Sequence, residues 1–265
     1  MAKLSPVATR TFEKYNGSIV IDFYEKHGRF GHIYIRRDNG EWLKSVTKAT
    51  GILDKPALVP WACKVMAERL VEVATAKGKL LIDDIESAKS TWREKRDASA
   101  NKGTTIHDLA SQYINYKLGI TKKPPVIPDE PGEDKPITNG YLAFRDWERD
   151  NKVKFIASEV LVYSKKYNFV GTLDCIAEVN GEYCLIDFKT GNGIYWDMIL
   201  QVSGYGIAHE EETSKKFERC WIVRFGKETA EFQAKSFTIN DKLNKAFLSC
   251  HYLASVQKEV EEIVK

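Results

Sequence analysis

The sequence predicts an α/β fold: a central mixed β-sheet flanked by helices, preceded by an N-terminal β-hairpin and a helical elaboration. Three observations predict it. From residue 154 onward, three strand-like runs, a helix, two further runs and a closing helix succeed one another, the alternation of helices covering a mixed sheet. Asn180-Gly181, between two apolar runs, is the strongest two-residue hairpin signal in the chain, because a type I′ turn needs positive φ at both positions. Before residue 121 the pattern is different, with alternating runs first and then long stretches of helical periodicity.

Taken in order, "SIVIDFY" and "GHIYIRR" alternate like strands around a polar "EKHGRF" turn, and "EWLKSVT" is a candidate third strand. "ALVPWACKVMAERLVEVATAKGK" reads as a helix, with Pro60 in its first turn and Gly78 near its end. "DDIESAKSTWREKRDASANKGTTIHDLASQYINYKLG" reads as helical on both sides of a break near Gly103. The proline-rich "TKKPPVIPDEPGEDKP" is a loop, and "TNGYLAFRDWERDN" is a helix opened by Thr138 or Asn139. Strands then follow, with a helix over residues 196–210, strands near 218–225 and 231–237, and a final helix. We expect a single domain over residues 1–265, with residues 1–100 forming the elaboration and 101–265 the core.

At 265 residues the chain can bury a sizeable core, and 43% hydrophobic with 29% charged residues is ordinary globular composition. The N-terminus lacks the apolar run of a secretory signal and no stretch has membrane-spanning length, so an intracellular, cytoplasmic protein is expected. A net charge of +3 is compatible with nucleic acid without demanding it. "KKYN" and "KSTWREKR" are basic patches that face either DNA or solvent. The five cysteines form no CxxC pair, and Cys175, Cys184 and Cys220 lie in apolar runs as small buried thiols, so disulfides and zinc are not expected. His209 and His251 read as ordinary helix residues, and Asp197 either as part of the helix stripe that carries Gln201 and Tyr205 or as an acid of a helix N-terminus.

The stretch "VGTLDCIAEVNGEYCLIDFKTG" sets charges into what otherwise reads as buried sheet. If Asn180-Gly181 forms the turn, Val179 faces Glu182, and pairing outward sets Asp174 opposite Asp187, with Lys189 on the same face as Asp187. Leu173, Cys175, Ala177, Cys184, Ile186 and Phe188 then make an apolar opposite face. Opposed carboxylates destabilise a sheet, but at a Cβ separation of about 4.5–5.5 Å they can share one hard cation. The other reading is an exposed face on which Lys189 relieves the pair. An even connection between the first two strands would add Glu159 across from Asp174, three acids on three neighbouring strands.

Glu159, Gly171-Thr172-Leu173-Asp174, Asp187-Phe188-Lys189, then Gln201 and Tyr205, with His107 upstream in "NKGTTIHDLA", resemble the signature of the PD-(D/E)xK nuclease superfamily. More narrowly they resemble its RecB-like exonuclease branch, which includes CRISPR-associated and mitochondrial single-strand exonucleases. The resemblance implies a restriction-endonuclease-like core. It implies that His107, Asp174, Asp187 and the Phe188 backbone carbonyl bind Mg²⁺ or Mn²⁺, with Glu159 joining directly or through water. Lys189 would orient or deprotonate the attacking water and stabilise phosphate charge. Gln201 and Tyr205, neighbours on one helix face, would contact DNA or the lysine. Alone, His107 would read as a satisfied histidine, Glu159 as a salt-bridge partner and Tyr205 as core.

Relatives of that kind often carry four cysteines for an iron–sulfur cluster. Here only Cys220 and Cys250 lie late in the chain, so no cluster is expected, and no Walker-type loop supplies a helicase motor. The expectation is a metal-dependent DNA exonuclease acting on single strands or free ends in replication, recombination or repair, in a bacterial or phage-infected cell, with possible protein partners from those processes. The alternatives are a structure-specific or restriction-type endonuclease on the same core, and a non-catalytic nucleic-acid-binding protein on a nuclease fold.

Overall fold

A computed structural model describes residues 8–25, 32–128 and 134–265; most of the expected "EKHGRF" turn and part of the proline-rich loop lie outside them. In chain order the elements are β1 (Arg10–Lys14), β2 (Ile19–Tyr24), β3 (Ile33–Arg36), β4 (Trp42–Ser45), α1 (Val46–Thr50), α2 (Leu58–Lys77), α3 (Ile82–Lys117) and α4 (Lys135–Asp150). There follow β5 (Lys154–Ser164), β6 (Phe169–Val179), β7 (Glu182–Lys189), α5 (Trp196–Thr213), β8 (Arg219–Phe225), β9 (Phe232–Phe237) and α6 (Asp241–Ile263). The strands form one mixed sheet in the order β1-β2-β3-β4-β6-β7-β8-β9, with β5 paired to β6. Pairs β4–β6 and β7–β8 are parallel and the rest antiparallel. The expected α/β architecture, a mixed sheet flanked by helices behind an N-terminal hairpin, is what the chain adopts.

Two helical layers cover the sheet. On one face α3 and α4 pack around Phe144, Trp147, Phe188 and Phe225; on the other α1, α5 and α6 enclose Phe169, Leu185, Leu200 and Phe247. Each such side chain, fully buried, contributes about 1.5–3 kcal/mol relative to exposure. A third cluster joins Ile21, Phe23 and Tyr34 of the N-terminal strands to Leu161, Tyr163 and Val170, so these strands are fastened onto β5 and β6. Among the described residues no helix is long and apolar enough to cross a membrane.

The Asn180-Gly181 turn has φ of 52° and 89°, as a type I′ turn requires, and β6–β7 pairs Val179 with Glu182 as predicted. Several elements differ from expectation. "EWLKSVT" gives only a four-residue strand, because the Ser45 hydroxyl accepts the Lys48 N–H and starts α1. Strand β1, whose only large apolar residue is Phe12, was not legible as a strand; Thr11 and Arg37 both bind the Asp22 carboxylate beside it. No break occurs at Gly103: α3 runs through it, and the glycine serves close packing, since a Cβ there would lie 2.4 Å from Thr190 Oγ1. Helix α4 starts at Lys135 rather than at Thr138 or Asn139, with Pro136 in its first turn. The Asn139 amide, not needed as a cap, donates to the carbonyls of Lys227 and Glu228.

One feature organises the rest. Strand β5 pairs along one edge of β6 from Phe169 to Glu178, with a register shift between Phe155 and Ala157. The other edge is shared: β4 takes Phe169 and Val170, and β7 takes residues 175–179. Among the described residues no strand pairs on that edge with Gly171, Thr172, Leu173 or Asp174, so the sheet forks there.

Candidate active site

The predicted residues meet at this fork. The β6–β7 ladder ends at Cys175–Ile186, and one further step would set Asp174 against Asp187. Instead Asp174 Oδ2 accepts the backbone N–H of Phe188 at 2.6 Å, replacing a ladder bond by a charge-assisted one. Asp174 Oδ1 lies 3.5 Å from His107 Nδ1. Burial pushes the Asp174 carboxyl up, but the positive charges of His107 and Lys189 and the Phe188 N–H outweigh it and hold it below its ordinary value. His107 shows the mirror balance: burial lowers it, and the Asp174 carboxylate outweighs burial and raises it.

Helix α3 brings His107 here because Gly103, one turn earlier, lets the helix close onto Thr190 at the end of β7. One turn later the Ser158 hydroxyl donates to Ser111 Oγ at 3.1 Å, tying the same helix to β5.

Glu159 is bracketed against Asp174 by the pairs Ser158–Cys175 and Val160–Leu173, the placement predicted for it. Its backbone is left-handed, φ 52°, within a strand. A non-glycine residue in that region costs of order 1 kcal/mol and turns the strand. The consequence is a change of face. Ala157 and Val160, three residues apart, pack in one core, and Leu173 joins Ile176 and Leu185 there. Strict alternation placed Leu173 with Cys175 and Phe188, so that part of the predicted apolar face is corrected; the other five residues do form it. Burial first, and then the Asp174 carboxylate, push Glu159 up to about 7, against the lowering charges of His107 and Arg10.

On β7, Asp187 is 2% exposed and Lys189 Nζ lies 2.5 Å from its Oδ2. The Lys189 ammonium thus forms an ion pair with this buried carboxylate. Burial is the main influence on Asp187; the Lys189 charge opposes it, the Asp174 carboxylate adds to it, and the net shift is upward. Gln201 and Tyr205 of α5 are joined by a 3.0 Å bond from Gln201 Nε2 to Tyr205 Oη. The Tyr205 ring lies where a side chain of Gly171 would be, 2.5 Å from its virtual Cβ. Burial, followed by the charges of Asp187 and Asp174, keeps its phenol strongly protonated.

Sequence reasoning assigned no role to Tyr34, whose hydroxyl lies 3.2 Å from Thr172 Oγ1 at the fork. No local signal marks it, since its placement depends on β4 meeting β6 far along the chain.

Among the described residues no three His, Cys, Asp or Glu side chains are arranged to hold one ion. The donor chemistry of the two aspartates does fit a divalent cation: two neighbouring carboxylates at one sheet edge, Asp187 buried and Asp174 largely so, are hard oxygen ligands for Mg²⁺ or Mn²⁺. His107 and Glu159 stand beside that pair without completing a three-donor set.

No family model matches the sequence, and no curated protein matches it. Among solved structures the chain is similar to the alkaline exonuclease LHK-Exo from Laribacter hongkongensis, at 14% identity and a TM-score of 0.34 over 59% of this chain and 81% of that one. LHK-Exo in complex with dAMP gives 15% identity and a TM-score of 0.35 over 63% and 89%. A protein from Eubacterium rectale provisionally named an exonuclease gives 16% and 0.37 over 56% and 64%. Likeness of this size does not bear on the activity or the site residues of this chain.

Proposed function

We propose that the chain is a divalent-metal-dependent deoxyribonuclease, an exonuclease of the RecB-like kind acting on single-stranded or free-ended DNA. One observation carries this reading: Asp187, buried, and Asp174, largely buried, stand side by side at an open sheet edge with Lys189, where two neighbouring carboxylates repel each other. Asp174 and Asp187 would hold Mg²⁺ or Mn²⁺, with His107 and the Phe188 carbonyl as the further ligands that the resemblance implies. The ion, when bound, supplies a water of lowered pKa and offsets charge on the phosphate.

The protein's own groups do the rest. Lys189 Nζ, drawn to the Asp187 carboxylate, orients the attacking water and donates to a non-bridging phosphate oxygen. Glu159, with its carboxyl raised to about 7, can accept and release a proton at its carboxylate oxygens near neutral pH. The Gln201 amide and the protonated Tyr205 hydroxyl, locked to each other, fix the α5 side of the cleft against the DNA strand or Lys189. A cytoplasmic role in replication, recombination or repair, with protein partners from those processes and no iron–sulfur cluster, goes with this reading. Restriction-type or structure-specific cleavage on the same core is the alternative chemistry.

A non-catalytic DNA-binding protein is the second reading, favoured by the lack of a three-donor cluster among the described residues. A time course on 5′- and 3′-labelled single- and double-stranded oligonucleotides with Mg²⁺ or Mn²⁺ decides between them. A ladder growing from one end is the expected result, and internal cuts indicate an endonuclease. Binding without cleavage in either metal would overturn the proposal.

A further inference from the structure

The fork in β6 gives the site two walls, and only one belongs to the β7–α5 side. The other is the N-terminal strands of the sheet, seated on β5 and β6 through Phe23, Tyr34, Leu161 and Tyr163. From that wall Tyr34 reaches Thr172, two residues before Asp174. The Tyr34 ring packs on Phe23 with centroids 5.1 Å apart, and the Arg10 guanidinium lies 5.1 Å above the other ring of that pair, Phe23. A row of ring and cation contacts thus runs from the site to Arg10 on β1. Arg10 is exposed, and among the described residues no hydrogen bond or ion pair holds its guanidinium. Its charge nevertheless reaches Glu159 and Tyr34.

A phosphodiester strand entering this cleft meets Glu159, Asp174 and Asp187, and Lys189 is already drawn to Asp187. A polyanion needs a further cation on its path. Arg10 meets the requirement physically: its planar fork matches two phosphate oxygens, and stacking on Phe23 removes much of the freedom that binding would otherwise have to freeze.

We infer that Arg10 is a phosphate-binding residue of the candidate site and that the N-terminal strands are its second wall. The inference rests on the nuclease reading for its substrate class, a single strand of DNA. Arg10 contacts a phosphate beside the scissile one, so its effect falls on binding and not on the chemical step.

The test compares wild type, Arg10→Met, which keeps an apolar stem over Phe23, Arg10→Lys, and the remote control Lys216→Ala. Each is measured on a labelled single-stranded oligonucleotide for KM and kcat with Mn²⁺, and for the dependence of binding on KCl in chelator. Arg10→Met should raise KM at least about tenfold with kcat nearly unchanged. It should also lower the slope of log K against log salt by about 0.7. Arg10→Lys should restore the slope but only part of the KM, and Lys216→Ala should match wild type. If wild type cleaves and Arg10→Met keeps its KM and slope, the inference falls while the nuclease reading stands. If wild type binds but does not cleave, the nuclease reading falls and the salt slope alone decides on Arg10; if wild type binds no oligonucleotide, both fall.

Discussion

Acidification should loosen α5, the helix that carries Gln201 and Tyr205, through a residue outside the site. His209 on α5 is 6% exposed, stacks on Phe217 with centroids 4.4 Å apart, and has Nε2 3.2 Å from the Tyr183 hydroxyl of β7. Burial first, then the charges of Lys14 and Lys215, push its pKa down from 6.5 to about 4. The folded protein therefore resists protonation that the unfolded chain accepts. This stabilisation is fully present above the unfolded value of 6.5 and is lost as pH falls toward the folded value near 4. At about 1.4 kcal/mol per pH unit, the loss approaches about 3 kcal/mol at the acid end. That is a large part of the roughly 5–15 kcal/mol that a typical domain has. Urea denaturation followed by tryptophan fluorescence, at about pH 7.5 and about pH 4.5, measures it in wild type and His209→Phe. The variant keeps the stack but cannot titrate, so it should lose about 2–3 kcal/mol less than wild type across that interval. Parallel losses in the two proteins would refute the assignment of the acid sensitivity to His209.

Asp187→Asn should abolish cleavage yet melt higher than wild type in chelator at neutral pH, because burial and Asp174 make the ionised form costly; the gap should narrow as acid protonates the wild-type carboxyl. A lower melting temperature would mean that the contact with Lys189 already compensates the charge. Lys189→Ala should lower kcat by at least about a hundredfold while oligonucleotide affinity in chelator changes little. Comparable losses in both would make Lys189 a phosphate anchor instead. Gly171→Ala would set a Cβ 2.5 Å from Tyr205 Cε1 and 3.1 Å from Val46, so a loss of about 1–3 kcal/mol and lower turnover are expected from urea titration and single-turnover kinetics. Wild-type behaviour there would remove Tyr205 from the wall of the cleft.

What could be read from the sequence was what local rules decide. Asn180-Gly181 determines a register, and that register brings Asp174 toward Asp187. Alternation likewise placed five of six residues on the apolar face of that hairpin. The exceptions are tertiary. Glu159 takes a left-handed backbone that no local preference of glutamate would select, and Leu173 changes sides with it. Gly103 looks like a helix break in isolation and becomes a packing device only when Thr190 is opposite it. Tyr34 reaches Thr172, and Arg10 approaches Glu159, only because β4 pairs with β6 over a separation of more than a hundred residues, which no periodicity records.

The bond from the Phe188 amide to Asp174 makes one backbone proton a witness to the state of the site. In an ordinary ladder that proton would face a carbonyl, whose charge is fixed. Here it faces a carboxylate, so its resonance frequency and its rate of exchange with solvent deuterium follow whatever draws on Asp174. Protonation, a neighbouring cation or a turned side chain would each move a single, sequence-assignable signal in a nitrogen-15 spectrum. The state of a largely buried acid thus becomes readable without mutation, without substrate and without turnover.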